Sequence, residues 1–196
     1  MDRRLISPDV LPLIVERWSP RSFDGSRMDE KDVTTILEAG SWAPSAFNVQ
    51  PWRFLYAHRD TADWERFLKL LVPFNADWAK SASVLAFILS DSLSGKPGEE
   101  KPNHSHSFDA GAAWAMLSLQ AIAMGYHTHG MTGVDFDAAR RELQVPERYR
   151  IEAAFVIGRM DSPDKLPEKL REREFPVGRK PVSDVAISGP FDPRIT

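Results

Sequence analysis

The sequence predicts a single α+β or α/β domain that ends in an extended arm. Segments with helical spacing of apolar residues alternate with short apolar runs of strand length, in the order ααβαβαβαβ. One run, Ser83–Ser90, is continuously apolar between its two serines, as expected for a strand covered on both faces. The last 37 residues, 160–196, contain six of the fifteen prolines and little periodicity. A chain of 196 residues is long enough for one hydrophobic core.

The first half of the chain predicts three helices and one strand. Ser7-Pro8 starts a helix that extends to Arg17, with serine as the N-cap and proline in the first turn. A second helix begins after Asp29, and its inward positions are Val33, Ile36, Leu37 and Gly40. In the segment Arg53–His58, the alternation of residue types predicts a strand. The third helix is capped by Asp60 or Thr61, and its inward positions are Trp64, Phe67, Leu68 and Leu71.

The second half predicts a buried helix between strands. The 17 residues Asp91–Ser107 are polar and lack periodicity, so they form either a lid or a disordered loop. Phe108–Met124 is apolar nearly all round, which predicts a helix buried on most sides, such as one in a dimer interface. Tyr126–Met131 and Ile151–Gly158 are strands. Between them lies a short helix whose cap and inward positions are Asp135, Phe136, Ala139 and Leu143.

The proline-rich C-terminal segment is predicted to be an arm that packs on another surface. Its apolar residues have no helical or strand spacing; they are Phe175, Val177, Val182, Val185 and Ile187. Apolar residues in an irregular tail need a host surface, and a second subunit is a plausible one.

The composition excludes several classes of protein. The chain has no cysteine, which rules out disulfides, thiolate nucleophiles and cysteine-based metal sites. Its 25 basic and 28 acidic residues give a net charge of −3, which argues against a nucleic-acid partner. It has no run of 18 apolar residues, and its N-terminus lacks the apolar core of a signal peptide. We therefore expect a cytoplasmic protein without a membrane partner, in which any redox chemistry comes from a cofactor.

The segment Arg17-Trp18-Ser19-Pro20-Arg21 places two guanidiniums and a hydroxyl around a fixed turn. Arginine offers a planar fork of donors and serine adds a short one, so the segment is suited to binding phosphate. The alternative is that both arginines are solvated surface charges, as most arginines are.

A second segment, Ala43–Trp52, combines small polar residues with aromatic residues between two prolines. Ser45, Asn48 and Gln50 can present hydroxyl and amide groups to a flat heterocycle that the neighbouring rings shield. The alternative is a proline-stiffened connector whose tryptophans belong to the core.

Two His-x-His pairs, 104/106 and 127/129, raise the alternative of a metal site. On strands, His104 and His106 would project to one face, as would His127 and His129, and Asp109 would add an oxygen ligand. None of these spacings is a specific metal signature, so we predict no metal. The other interpretation places the first pair in a lid and the second beside a strand. His129 is also a candidate for substrate contact or proton donation.

Several motifs in a fixed order make the chain resemble the nitroreductase family of FMN-dependent oxidoreductases over residues 10–185. The motifs are Arg17-x-Ser19-x-Arg21, Ala43-Pro44-Ser45-x-x-Asn48-x-Gln50-Pro51-Trp52, Asn75, Asp109-Ala-Gly111, Gly130-Met-Thr-Gly133-Val-Asp135 and Gly178-Arg179-Lys180-Pro181. The resemblance implies one α+β domain over 1–196, with a central, mainly antiparallel sheet flanked by helices. It also implies a homodimer with two interface flavins, in which the arm 160–196 packs on the partner.

The activity implied by the resemblance is hydride transfer. Hydride would pass from NADH or NADPH to N5 of FMN, and then to a nitroaromatic, quinone or enone acceptor, by a ping-pong mechanism. Because the cofactor carries the chemistry, no catalytic side chain is predicted. The alternative is a flavin- or nucleotide-binding sensor with the same fold and no turnover.

The FMN contacts implied by the resemblance fall on twelve residues. Arg17 and Arg179 would bind the phosphate, with Lys180 as a helper. Arg21 would reach the flavin edge near N1 and O2. The remaining contacts are Trp18, Ser19, Asn75, the Met131, Thr132 and Gly133 backbone facing N5, and, from the other subunit, Pro44, Ser45 and Asn48.

Trp78 departs from the family pattern, because some members have a lysine three residues after the asparagine that matches Asn75. The positive charge at the flavin edge then depends mainly on Arg21. Trp78 would either wall the substrate pocket, together with Phe47 and the lid at Asp91–Ser107, or belong to the core.

Overall fold

The computed structural model describes residues 9–191. Its helices are α1 (Pro12–Glu16), α2 (Glu30–Ser41), α3 (Ala62–Leu68), α4 (Pro73–Ala79), α5 (His106–Ala123), α6 (Phe136–Glu142) and α7 (Glu168–Arg171). Its strands are β1 (Trp52–His58), β2 (Val84–Asp91), β3 (Leu93–Ser94), β4 (Lys101–Pro102), β5 (His127–Met131) and β6 (Tyr149–Gly158). Within residues 9–191, no helix combines the length and apolar character that a membrane span requires.

Four strands form one sheet in the order β1-β2-β6-β5, and every neighbouring pair is antiparallel. The short strands β3 and β4 pair as a separate hairpin. Helices pack on both faces of the large sheet, so the predicted α+β fold with a mainly antiparallel sheet flanked by helices is confirmed.

Strand β2 divides the core into two layers, because alternate side chains of a strand point to opposite faces. Phe87 packs edge-on against Phe67 of α3, with ring centroids 5.5 Å apart. Ala86 and Ile88 point to the other face, where they share a cluster with residues of α2 and α5. Every residue of β2 is buried, which confirms the prediction of a strand covered on both faces.

The start of α6 follows the predicted capping chemistry, whereas α1 is shorter than predicted. The Asp135 carboxylate accepts a hydrogen bond from the Ala138 N–H at 2.9 Å. Helix α1 begins at Pro12, since the first helical position needs no N–H. The helix start predicted at Ser7-Pro8 lies outside the described residues.

One expectation about the short helices is wrong, and one short helix was not predicted. Phe136 was expected to point inward but is 38% exposed, and Ala139 alone in α6 is fully buried. A helix of seven residues has only two turns, so one small residue is enough to seat it in the hydrophobic core. Helix α4 was not predicted, because seven residues beginning with Pro73 are too few to display a 3.6-residue period.

The polar segment 91–107 forms the β3–β4 hairpin and is anchored at its base. Both Asp91 carboxylate oxygens accept hydrogen bonds from the Arg148 guanidinium, at 3.0 and 2.8 Å. The segment ends where α5 begins, and His106 is the first residue of that helix. His104 and His106 therefore do not project from one face of a strand, the arrangement that the metal alternative required.

The C-terminal segment has two parts. Leu166 and Leu170 pack into the hydrophobic core, and Glu174 is also buried. Every described residue from Phe175 to Phe191 is exposed. The exposed part of the C-terminal segment thus begins after Glu174, because the two leucines hold the chain before that point, and the packing of an arm 160–196 on a partner remains a prediction.

Candidate functional site

A cavity of about 540 Å³ lies where the segment after α1 meets α5, β5 and β6. Its volume is in the range of small-molecule binding sites. The lining residues are Arg17, Ser19, Ile88, Ser107, Ala110, Gly111, Trp114, Gly130, Met131, Thr132, Glu152, Ala153, Ala154 and Phe155. The structure thus brings together four predicted site residues that lie far apart in the chain: Arg17, Ser19, Met131 and Thr132.

Arg17 and Ser19 form a pair of donors in the cavity wall. The Arg17 Nη1 donates a hydrogen bond to the Ser19 Oγ at 3.1 Å, which fixes the two side chains relative to each other. A guanidinium beside a hydroxyl offers both a positive charge and short donors, the groups that bind phosphate best. This geometry favours the phosphate interpretation of the segment.

Aromatic rings and glycine form the apolar part of the wall. Trp114 of α5 and Phe155 of β6 pack with ring centroids 5.2 Å apart. A Cβ atom at Gly130 would lie 3.0 Å from the Trp114 Cζ2, so glycine allows the β5 backbone to approach the indole. Apolar rings beside a cationic end are suited to a flat heterocycle that carries a phosphate.

Asn75 and Gly133 are structural partners in the loop after β5. The Gly133 carbonyl accepts hydrogen bonds from the Val72 N–H at 3.0 Å and from the Asn75 Nδ2 at 3.2 Å. The Asn75 amide nitrogen is thus used by the protein itself. Neither Asn75 nor Gly133 lines the cavity, and their predicted flavin contacts remain predictions.

Replacing Gly133 with alanine is expected to destabilise the protein by about 1–3 kcal/mol, because overpacking adds to the loss of a hydrogen bond. The new Cβ would lie 2.3 Å from the Asn75 Nδ2 and 2.8 Å from the Val72 Cγ2. Urea unfolding measures the free energy. Gly178→Ala is the control, since no heavy atom lies within 4 Å of its Cβ position, and equal stability of the two variants would contradict the packing argument.

His129 holds the turn between Ser19 and Arg21. Its Nδ1 donates a hydrogen bond to the Pro20 carbonyl at 2.8 Å. Burial lowers the pKa of His129 to about 4, and the positive charges of Arg21 and Arg17 act in the same direction. The imidazole is neutral near pH 7 and its Nδ1 proton is in use, so the geometry makes it a clamp on the backbone rather than a proton donor.

Trp78 is a core residue, which decides between the two alternatives for it. It is 3% exposed, it stacks on Phe23 with ring centroids 6.5 Å apart, and it contacts the His129 ring at 4.6 Å. It does not line the cavity. The position where some family members have a lysine thus contains a neutral, buried ring.

Arg21 lies outside the cavity wall and is held by a residue that the sequence analysis missed. Its backbone N–H donates to the Glu174 carboxylate, and its Nη1 lies 3.7 Å from the second carboxylate oxygen. The two residues are 153 positions apart, and no local pattern links them.

The segment Ala43–Trp52 has a strained backbone and does not line the cavity. Phe47, Asn48 and Gln50 have φ values of 51°, 56° and 53°, in the left-handed region that such residues rarely adopt. The segment is tied to α5 by a hydrogen bond of 3.2 Å from the Ala46 N–H to the Asp109 carboxylate. Clustered strain of this kind is typical of functional segments.

The remaining predicted residues also lie off the cavity. Pro44 and Asn48 are exposed, and the Ser45 Oγ accepts a hydrogen bond from the Gln50 N–H at 3.0 Å. Trp18 packs edge-on against His127 at 6.5 Å. Arg179 is exposed and bonds to nearby backbone carbonyls.

Glu152 is a second residue of the cavity that the sequence analysis missed. The register of β6 against β2 shifts between Ile88 and Leu89, so Glu152 is the extra residue of a β-bulge. Its Oε1 accepts hydrogen bonds from the Ser90 and Ser107 hydroxyls at 2.5 and 2.7 Å. A single glutamate in the otherwise apolar run Ile151–Gly158 was the available signal.

The histidine pairs do not form a metal centre in the described part of the chain. His106 Nδ1 lies 2.7 Å from the Ser90 Oγ, while His129 bonds to Pro20. Across residues 9–191, no three His, Asp or Glu side chains are arranged to hold a metal ion.

Comparison with known proteins gives consistent results. The model of the Nitroreductase family matches residues 14–73 and 62–159. A crystal structure of an oxidoreductase containing FMN is 48% identical, covers 98% of each chain and has a TM-score of 0.94. Protein DrgA of Synechocystis sp. is 28% identical over 87% of this chain and 94% of its own. The CLA biosynthesis enone reductase of Lactiplantibacillus plantarum is 23% identical, over 80% of this chain and 88% of its own.

The region matched by the family model, residues 14–159, contains the whole four-stranded sheet and every residue that lines the cavity. With that coverage, the chain belongs to the nitroreductase family.

Proposed function

We propose that this protein is an FMN-dependent oxidoreductase that transfers hydride from NADH or NADPH to an electron-poor acceptor, a nitroaromatic, a quinone or an enone. The observation that carries the proposal is the cavity, which joins the Arg17–Ser19 pair to Met131 and Thr132 along an apolar wall. The FMN in the 48% identical structure and the name of the enone reductase support the cofactor and one acceptor class.

The residues of the cavity fit FMN by their chemistry, and three predicted residues outside its wall, Arg21, Gly133 and Arg179, would complete the site. Arg17 and Ser19 would hold the phosphate, with Arg179 as a second cation, because a phosphate carries nearly two negative charges. The Met131–Gly133 backbone would lie on the N5 side of the ring, and Arg21 near N1 and O2. Bound FMN supplies the redox chemistry, hydride transfer through N5 in a ping-pong sequence, and the protein supplies binding and orientation.

We also propose that the working unit is a homodimer. Large apolar side chains are exposed on three adjoining parts of the protomer: α1 with its N-cap, the segment 42–52 and α5. They are Leu11, Ile14, Trp42, Phe47, Phe108 and Met116, with exposed fractions between 39% and 102%. A patch of this kind marks a protein interface. A second copy would cover it, bring Pro44, Ser45 and Asn48 to the partner's cavity, and receive the arm 175–191.

The assembly is tested by a charge in the proposed interface. Phe108→Asp is expected to convert a dimer, near twice the chain mass of 22.1 kDa, into a monomer with weaker FMN binding. Phe136→Asp is the matched control, since Phe136 is exposed on α6 at the other face of the sheet. Sedimentation equilibrium measures the mass, and a monomeric wild-type protein that holds FMN would contradict the dimer.

The activity is tested first by colour and then by turnover. The purified protein should be yellow. Under anaerobic conditions, NADH or NADPH should bleach the absorption of the oxidised flavin. Addition of a quinone, a nitroaromatic or an enone should then restore the oxidised flavin spectrum. A colourless protein that takes up no FMN would refute the proposal. A panel of acceptors assayed with the FMN-loaded protein identifies the preferred class.

A second candidate function is a flavin-binding sensor without turnover. Trp78 favours it, because a buried neutral ring replaces a cation that would stabilise reduced flavin. Steady-state oxidation of NADH or NADPH with quinone acceptors separates the two functions, since a sensor would be reduced once and then stop. For either function we propose a cytoplasmic location, in line with the absence of cysteine.

A further inference from the structure

Glu174 is a buried carboxylate that holds the backbone of the proposed flavin-binding segment. Its side chain is 2% exposed. Its Oε1 accepts two hydrogen bonds, from the Arg21 N–H at 2.5 Å and from the Ser22 N–H at 2.9 Å. Two amides converging on one oxygen fix the direction in which the chain presents the Arg21 side chain. Glu174 therefore acts on the segment at the residue that would meet the flavin edge.

The second oxygen of Glu174 faces the charge of Arg21. Oε2 is buried, and among the described residues it has no hydrogen-bond partner. It lies 3.7 Å from the Arg21 Nη1, which is within ion-pair distance but too long for a hydrogen bond. A buried carboxylate needs a compensating charge, so this pair is held together by electrostatics.

The Arg21 guanidinium faces Glu174 on one side and is open to solvent on the other. Its side chain remains 22% exposed, so part of it is free to face a ligand. The nearby ring of His129 is kept neutral by burial, and Trp78, which packs on that ring, has no charge. Within residues 9–191, Glu174 is the carboxylate paired with Arg21, and it reduces the positive potential that Arg21 exerts on its open side.

We propose that Glu174 is a positioning residue that lowers the reduction potential of the flavin by holding and partly neutralising Arg21. The inference rests on the proposed function. Reduced flavin carries negative charge around N1 and O2, and a cation at that edge stabilises it. A carboxylate behind the cation weakens this stabilisation. Glu174 also ends the part of the chain that packs on its own protomer, so the start of the arm is coupled to the flavin edge.

The test is the midpoint potential of FMN-loaded protein, measured against a reference dye. In Glu174→Gln the side-chain oxygen still accepts from both amides, but the negative charge is lost. We expect the ratio of the affinities for reduced and oxidised FMN to rise about tenfold, which equals about +30 mV for a two-electron couple. Glu172→Gln, an exposed position two residues earlier, should leave the potential unchanged.

A double-mutant cycle shows whether the effect passes through Arg21. In an Arg21→Gln background, the shift caused by Glu174→Gln should fall to less than half. A shift of full size in that background would overturn the positioning role. If Glu174→Gln is too unstable to bind FMN, Glu174→Asp is used instead. Its shorter side chain places the carboxylate farther from Arg21, so the potential should rise by a smaller amount.

The outcomes separate this inference from the proposed function. If the wild-type protein binds no FMN, the proposed function fails. If FMN binds and NADH or NADPH reduces it, but the potential is the same in wild type, Glu174→Gln and Glu174→Asp, the role of Glu174 is refuted and the proposed function stands.

Discussion

Replacing Arg17 with methionine is expected to lower the affinity for FMN about 100-fold. A hydrogen bond between charged groups contributes about 1.5–3 kcal/mol, and 2.7 kcal/mol corresponds to a factor of about 100 in Kd. Arg17 lines the cavity and its Nη1 is oriented by the Ser19 hydroxyl, so its geometry is set before the ligand binds. A phosphate without this charge would lose both the ion pair and a preformed donor.

The affinity is measured by fluorescence titration of FMN into protein from which the flavin has been removed. Arg27→Met is the control, because Arg27 is an exposed arginine ten residues further along the chain. Arg179→Met is expected to weaken binding as well, through the second phosphate contact that the arm would supply. Unchanged FMN affinity in both Arg17→Met and Arg179→Met would mean that the phosphate binds elsewhere.

The sheet and the long helices could be predicted because their signals are local. The run that became β2 is buried on both faces, so each of its positions is apolar and no turn residue interrupts it. Helix α5 has 18 residues, which is long enough for its composition to indicate a helix. Helix α4 has seven and was missed. Sequence patterns identify an element when it is long or uniformly buried, and fail when it is short.

The candidate site was only partly predictable, because it depends on contacts that are distant in sequence. Arg17, Ser19, Met131 and Thr132 were identified by motifs and do meet at the cavity. Glu174 was not identified, since a glutamate in the charged stretch that follows α7 resembles any surface residue until the fold buries it. The bulge that turns Glu152 toward Ser107 is a property of strand register, which a single strand does not reveal.

Acidification is expected to destabilise the protein through His129. Burial lowers the pKa of this histidine from 6.5 to about 4, and an unfolded histidine titrates near 6.5. Between these two values the unfolded chain binds a proton that the folded chain does not. The free energy of unfolding is therefore highest above pH 6.5 and falls as the pH is lowered toward 4. For this group the loss between pH 7.0 and pH 4.5 is about 2 kcal/mol.

The contribution of His129 is isolated by comparing variants, because the protonation of carboxylates affects all of them alike. In His129→Asn the amide can still donate to the Pro20 carbonyl but does not titrate. His104→Asn is the control at an exposed histidine. Urea unfolding at pH 7.0 and 4.5, with FMN and protein concentrations fixed, should show His129→Asn losing about 2 kcal/mol less than wild type or His104→Asn. If the free energy of unfolding falls equally in all three proteins, burial does not keep His129 neutral. The hydrogen bond from His129 to the Pro20 carbonyl would then also form with a protonated ring.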